Sequence, residues 1–158
     1  MPQNIELLAA IILPIVLITF LRINAPMVFL SLCLGRVLVE YVGPEANSLI
    51  TFVMPNAGAM SLSTLQILLL LVPAGLTSFF MIFSVKGRLK VMLNILPATL
   101  VGLFMALLLV PLLPPGLRES IHAQALWHQL EKLQPLIVGT GGVISLALLW
   151  VHHHAQKK

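Results

Sequence analysis

Lys86-Gly87-Arg88-Leu89-Lys90 places three cations in five residues, between two long runs that carry no charge, Leu65 to Val85 and Val91 to Leu113. About 20 mostly apolar residues are needed to cross a hydrocarbon core of ~30 Å. Both runs reach that length. The reading that decides the fold is therefore a helical hairpin across a membrane, closed by a short basic turn. Basic turns are kept on the cytoplasmic side, so Lys86, Arg88 and Lys90 set the topology of the rest.

Composition points the same way. Hydrophobic residues make up 59% of the 158 and charged residues 9%. The mean hydropathy is +1.04. A soluble domain carries about 25% charged residues; this chain has too few to cover a soluble surface, so lipid is the expected solvent and partner. The length suits one bundle. The excess of nine Lys and Arg over five Asp and Glu reads as topology and attraction to anionic lipid. No basic stripe with interleaved aromatics suggests nucleic acid. Cys33 stands alone, which excludes an intramolecular disulfide and a thiolate metal cluster; it reads as a small packing residue.

Working outward from the basic turn, five spans are expected at about residues 5–21, 27–42, 64–85, 91–113 and 135–151. The first contains Pro14 and ends at Arg22, where Pro26 is placed to open the second. No basic residue precedes the first run, so it reads as a retained span rather than a signal peptide. In the second, Arg36 and Glu40 share a helical face and can pair. Ionisable groups at membrane depth suggest function, although Arg36 is near enough to the segment's end to snorkel. Ser48 to Met54 is too short to span, and Pro55-Asn56-Ala57-Gly58 breaks it. A surface loop is the favoured reading of 43–63, and a re-entrant element the other. Ser63 and Gln66 fit a capping box at the start of the third span, which Pro73 interrupts.

In the fourth span, Ala98, Gly102 and Ala106 recur every four residues, a smooth stripe for close helix packing. Gly141 and Ser145 form a similar pair in the fifth. The Gly139-Thr140-Gly141-Gly142 run lacks the flanking strand and spacing of a phosphate-binding fingerprint. Between these spans, residues 118–133 read as one amphipathic helix lying in the interface, with Trp127 at headgroup level. Trp150 is expected to mark the opposite interface.

Five spans with the basic turn inside put the amino terminus outside and the carboxyl terminus inside. Arg22, Lys86, Arg88, Lys90, Lys157 and Lys158 then flank the inside, against Arg118 and Lys132 outside. The expected fold is an all-α, polytopic membrane bundle. With neither a processing segment nor a long soluble tail read in the chain, a prokaryotic cytoplasmic membrane is the expected location.

Chemistry is sparse. Asp is absent, and the five Glu are scattered. His122 and His128 lie outside in this topology, and His152, His153 and His154 inside, so one metal cannot gather them. On a single helix, six residues of separation would also turn His122 and His128 about 120° apart. No catalytic, metal or cofactor site is nominated, and an enzyme is not expected. The leading functional expectation is a non-enzymatic scaffold, assembly factor or accessory subunit, working with a membrane-protein partner or as a homo-oligomer. The alternative is a small oligomeric transporter or channel, with Arg36, Glu40, Pro55 and Asn56 as its polar pathway.

Overall fold

In a computed structural model of the chain, residues 5–45, 48, 62–85 and 88–155 are described. These residues are helices and short connections, with no strand among them. The helices are α1 (Ile5–Phe20), α2 (Ala25–Tyr41), α3 (Leu62–Phe80), α4 (Arg88–Leu109), α5 (Pro115–His122), α6 (Ala125–Lys132) and α7 (Gln134–Ala155). A single 3₁₀ turn, Val110–Leu112, follows α4.

Among the described residues, two helices are long and apolar enough to cross a membrane: α4 over Met92–Leu112, with hydropathy 2.4, and α7 over Gln134–Val151, with hydropathy 1.7. The expectation of five such helices is not met on length. The apolar parts of α1 and α3, Leu7–Phe20 and Thr64–Phe80, are shorter, and α2 has 17 residues, Arg36 and Glu40 among them.

The boundaries follow from local chemistry. Pro26 opens α2 at its first turn, where a missing N–H costs nothing. The third helix does not run on to Val85. It ends at Phe80, because the chain turns at Met81–Phe83 and Phe83 takes a left-handed φ of 58°. The Phe83 N–H then donates to the Leu21 carbonyl at 3.0 Å, and the Val85 N–H to the Arg22 carbonyl at 3.1 Å. Arg22 is itself left-handed, with φ 50°. The link after α3 is thus bonded to the turn between α1 and α2.

Asn94, inside α4, fastens the same place. Its side-chain oxygen accepts the Ala25 N–H at 3.0 Å, and its amide donates to the Ile23 carbonyl at 2.7 Å. The end of α1, the start of α2, the end of α3 and the start of α4 therefore meet at one end of the bundle. This is the end that carries Arg22, Arg88 and Lys90; Lys86 lies outside the described residues.

α2 and α4 form the centre. α1 packs on α4, α3 on α2, and α7 on both. Phe29 is fully buried, its ring 5.2 Å from that of Phe104. Gly141 of α7 lies directly under the Phe29 ring. Elsewhere the helices touch backbone to backbone. A Cβ at Gly102 would stand 2.6 Å from the Ile11 carbonyl oxygen of α1, and one at Gly35 the same distance from the Leu70 carbonyl oxygen of α3. Ala98 and Ala106, one turn to either side of Gly102, are fully buried. Pro14, Pro73 and Pro97 all lie within helices. The Thr77 hydroxyl donates back to the Pro73 carbonyl at 2.8 Å.

Two predictions follow from these contacts, both read as thermal unfolding in detergent. Gly102→Leu forces α1 away from α4 and is expected to cost at least the ~1–3 kcal/mol of ordinary overpacking. Asn94→Leu leaves the Ala25 N–H and the Ile23 carbonyl without their buried partner and is expected to cost about 1–3 kcal/mol for each group left unsatisfied. Wild-type stability in either variant would contradict the packing described.

Candidate functional site

The Arg36–Glu40 pair forms, with Nε 3.7 Å from Oε2, but it faces outward. The two side chains are 51% and 58% exposed. The inner face of α2 is made instead by residues such as Leu32, Gly35 and Val39. The level of the pair can be read from α7. Phe29 rests on Gly141, and the two helices run in opposite directions. Arg36 lies seven residues after Phe29, and Gln134 seven before Gly141. At ~1.5 Å per residue, both lie about 10 Å from that contact. The neighbouring Gly35, however, lies against the Leu70 carbonyl near the middle of α3, so the pair is set apart from the core by facing outward rather than by lying at the end of the bundle. Pro55 and Asn56, the other two residues of the expected pathway, lie outside the described residues.

The region expected as one amphipathic helix is two. α5 and α6 meet at a bend where Gln124 takes an extended ψ of 134°. The Gln124 carbonyl accepts the Trp127 N–H at 3.1 Å, and its side-chain amide donates to the Ser120 carbonyl at 3.4 Å. The bend breaks the helical phase between His122 and His128, so the 120° relation does not apply. Ile121, Trp127 and Leu130 turn inward. Trp127, expected at headgroup level, is only 1% exposed, and its ring lies 5.0 Å from that of His122. A buried indole cannot anchor a headgroup. His122 Nε2 and Trp127 Nε1 are both buried without a hydrogen-bond partner. The outer side of this corner carries Leu117, Leu126 and Leu133, all exposed, together with Arg118, His128, Glu131 and Lys132.

The remaining singled-out residues are dispersed. Trp150 is exposed near the end of α7. His152, His153 and His154 follow it on the same helix. Ser145 is fully buried, and its Oγ has no hydrogen-bond partner. Among the described residues, no three His, Cys, Asp or Glu side chains come close enough to hold a metal. Arg88 and Lys90 occupy the first turn of α4.

Sequence reasoning missed Asn94 and Gly35. The signal for Asn94 was a lone carboxamide inside an uncharged run. Buried polar residues in apolar helices join neighbouring segments by hydrogen bonds. For Gly35 it was the four-residue spacing from Ser31, which is also buried.

The outward, half-exposed geometry of the Arg36–Glu40 pair has an energetic consequence. Exposed pairs are worth about 0–1 kcal/mol. Arg36→Leu is expected to shift stability by no more than about 0.5 kcal/mol in a thermal melt; a loss of several kcal/mol would mean that the pair is buried in the working protein. The chain matches no protein-family model, no curated protein and no solved structure.

Proposed function

We propose that the chain is a five-span membrane protein with its basic end inside, acting as a non-enzymatic scaffold, assembly factor or accessory subunit. The observation that carries this reading is the apolar girth of the bundle. Leu13, Val37, Leu76, Leu96 and Val143, one from each long helix, are all exposed. Only 17% of the apolar window of α7 is buried inside the protein. Exposed apolar area this continuous needs lipid or protein around it. The shorter helices fit a span when their flanking turns are counted: α2 alone covers about 25 Å at 1.5 Å per residue. Tyr41 and Trp150, both exposed, stand at opposite ends of the bundle, where aromatic residues meet headgroups.

The directions of the helices agree with the charge bias. α1, α3 and α7 run toward the basic end, and α2 and α4 away from it. A single topology therefore puts Arg22, Arg88 and Lys90 on the inside together. The scaffold part of the proposal rests on the outer face of the α5–α6 corner, whose exposed leucines and mixed charges offer a docking surface outside the membrane. Among the described residues, no three carboxylates, histidines or cysteines gather into a metal-binding group.

Thiol labelling tests the topology. In a Cys33→Ala background, single cysteines replace Arg88 and Arg118 in turn, and intact cells are treated with a membrane-impermeant reagent. Arg118→Cys is expected to label from outside, and Arg88→Cys only after the cells are opened. Labelling of both from the same side would overturn the five-span reading. Crosslinking from a cysteine at Leu126 tests the scaffold role: one defined adduct is expected, lost when Leu133→Glu is added, whereas no adduct removes the support for docking through this corner.

A further inference from the structure

Two of the closest helix contacts share one construction. The Ile11 carbonyl oxygen of α1 faces Gly102 of α4, and the Leu70 carbonyl oxygen of α3 faces Gly35 of α2. In each outer helix a proline follows three residues later, Pro14 after Ile11 and Pro73 after Leu70. Pro14 is buried and Pro73 half-buried, which sets both rings on or beside the packed side. A proline ring pushes against the carbonyl four residues before it and bends the helix. The side that carries the ring lengthens, so the helix bows toward what it faces there. The bow brings the next carbonyl, that of Ile11 or Leu70, onto the neighbouring helix, where glycine leaves room for it.

The likeness runs along both pairs of helices. From its bend, α1 reads Pro14-Ile15-Val16-Leu17-Ile18-Thr19-Phe20, and α3 reads Pro73-Ala74-Gly75-Leu76-Thr77-Ser78-Phe79. Proline, leucine, a hydroxyl residue and phenylalanine recur in register, and the leucine and phenylalanine are exposed in both. The inner helices match as well. Ser31, Gly35 and Val39 are buried at four-residue spacing in α2, as Ala98, Gly102 and Ala106 are in α4. α1 packs on α4, α3 packs on α2, and α2 and α4 pack on each other. A half-turn about an axis along the bundle, between α2 and α4, carries α1 to α3 and α2 to α4, and so exchanges the two contacts.

We propose that α1–α2 and α3–α4 are two copies of one hairpin related by that half-turn, and that each copy's proline seats its first helix on the glycine of the other copy's second helix. Pro14 and Pro73 are then positioning residues, setting how closely the outer helices approach the α2–α4 pair. α5, α6 and α7 follow the second copy and lie outside the repeat. This assembly does not depend on which surfaces meet lipid, so it goes beyond the membrane reading above.

Double-mutant cycles on the full chain, read as thermal unfolding in detergent, test the proposal. Gly102→Ala is expected to lower the midpoint by about 5 °C, for overpacking of ordinary size in a chain of this length. Pro14→Ala lets α1 draw back from α4, so in that background Gly102→Ala should cost about half as much or less. Gly35→Ala with Pro73→Ala should behave in the same way. The crossed pairs, Gly102→Ala with Pro73→Ala and Gly35→Ala with Pro14→Ala, should be additive. Where a glycine variant does not fold alone, its recovery in the matched proline background, and not in the crossed one, supports the seating equally.

Additivity in the matched pairs would overturn the seating role. Coupling in one hairpin only would overturn the equivalence of the two. Coupling as large in the crossed pairs as in the matched ones would mean a general loosening of the bundle, and would overturn both. None of these outcomes bears on topology, which the thiol labelling above tests separately.

Discussion

The side chain of Asn94 holds together the end of the bundle where four helices meet. The Ala25 N–H is one of the donors that the first turn of any helix leaves without an intrahelical partner. Asn24 precedes it but makes no side-chain cap. Asn94, 69 residues further along, supplies the acceptor. In a hydrocarbon environment water cannot take that role, so the protein has to satisfy such groups itself. The same carboxamide takes the Ile23 carbonyl. With Phe83 and Val85 bonded to the Leu21 and Arg22 carbonyls, residues 81–85 after α3 are joined to the turn between α1 and α2.

Away from that end, approach distance replaces hydrogen bonding. Between helices in lipid, close packing of small residues does much of the work that water-driven burial does elsewhere. The three contacts of this kind differ. Gly35 and Gly102 let α3 and α1 bring backbone carbonyls against them, so any side chain there has to move a whole helix. Gly141 instead makes room for the tip of the Phe29 ring, and that ring also packs on Phe104. Phe29 therefore couples the seat of α7 to the α2–α4 core. Exchange at Gly141 would be felt as a displaced ring, and exchange at Gly102 as a displaced helix.

The long helices were legible because uncharged runs bounded by proline, glycine and cations state their length directly. Their ends were less so. Met81 to Val85 is apolar enough to continue α3, and hydropathy has no means of registering that the Leu21 and Arg22 carbonyls are waiting across the bundle. Those distant acceptors, with a left-handed Phe83, end the helix. The α5–α6 bend was hidden for a similar reason. The spacing of Leu126, Trp127, Leu130 and Leu133 suits one continuous helix, but Ile121 and Trp127 can both be buried only if the chain turns between them at Gln124. Of the candidate site, the Arg36–Glu40 spacing was readable as a pair. Its direction was not, because that depends on which side of α2 receives α3, α4 and α7.

That direction bears on function. Among the described residues, the buried polar side chains are Ser31, Asn94, Gln124 and Ser145. Asn94 and Gln124 belong to the two ends of the bundle, and the Ser31 hydroxyl is turned onto its own helix, donating to the Val28 carbonyl at 2.8 Å. This leaves the middle of the described core lined by Leu32, Leu70, Val101 and Phe104, with Ser145 as its one unsatisfied hydroxyl. An ion or polar solute crossing such a core would lose its hydration and find no charged or carboxamide group to replace it. Arg22 and the Arg36–Glu40 pair, by contrast, are exposed. The scaffold reading we propose asks for no polar path through the described core, whereas the alternative of a pathway through a single copy does.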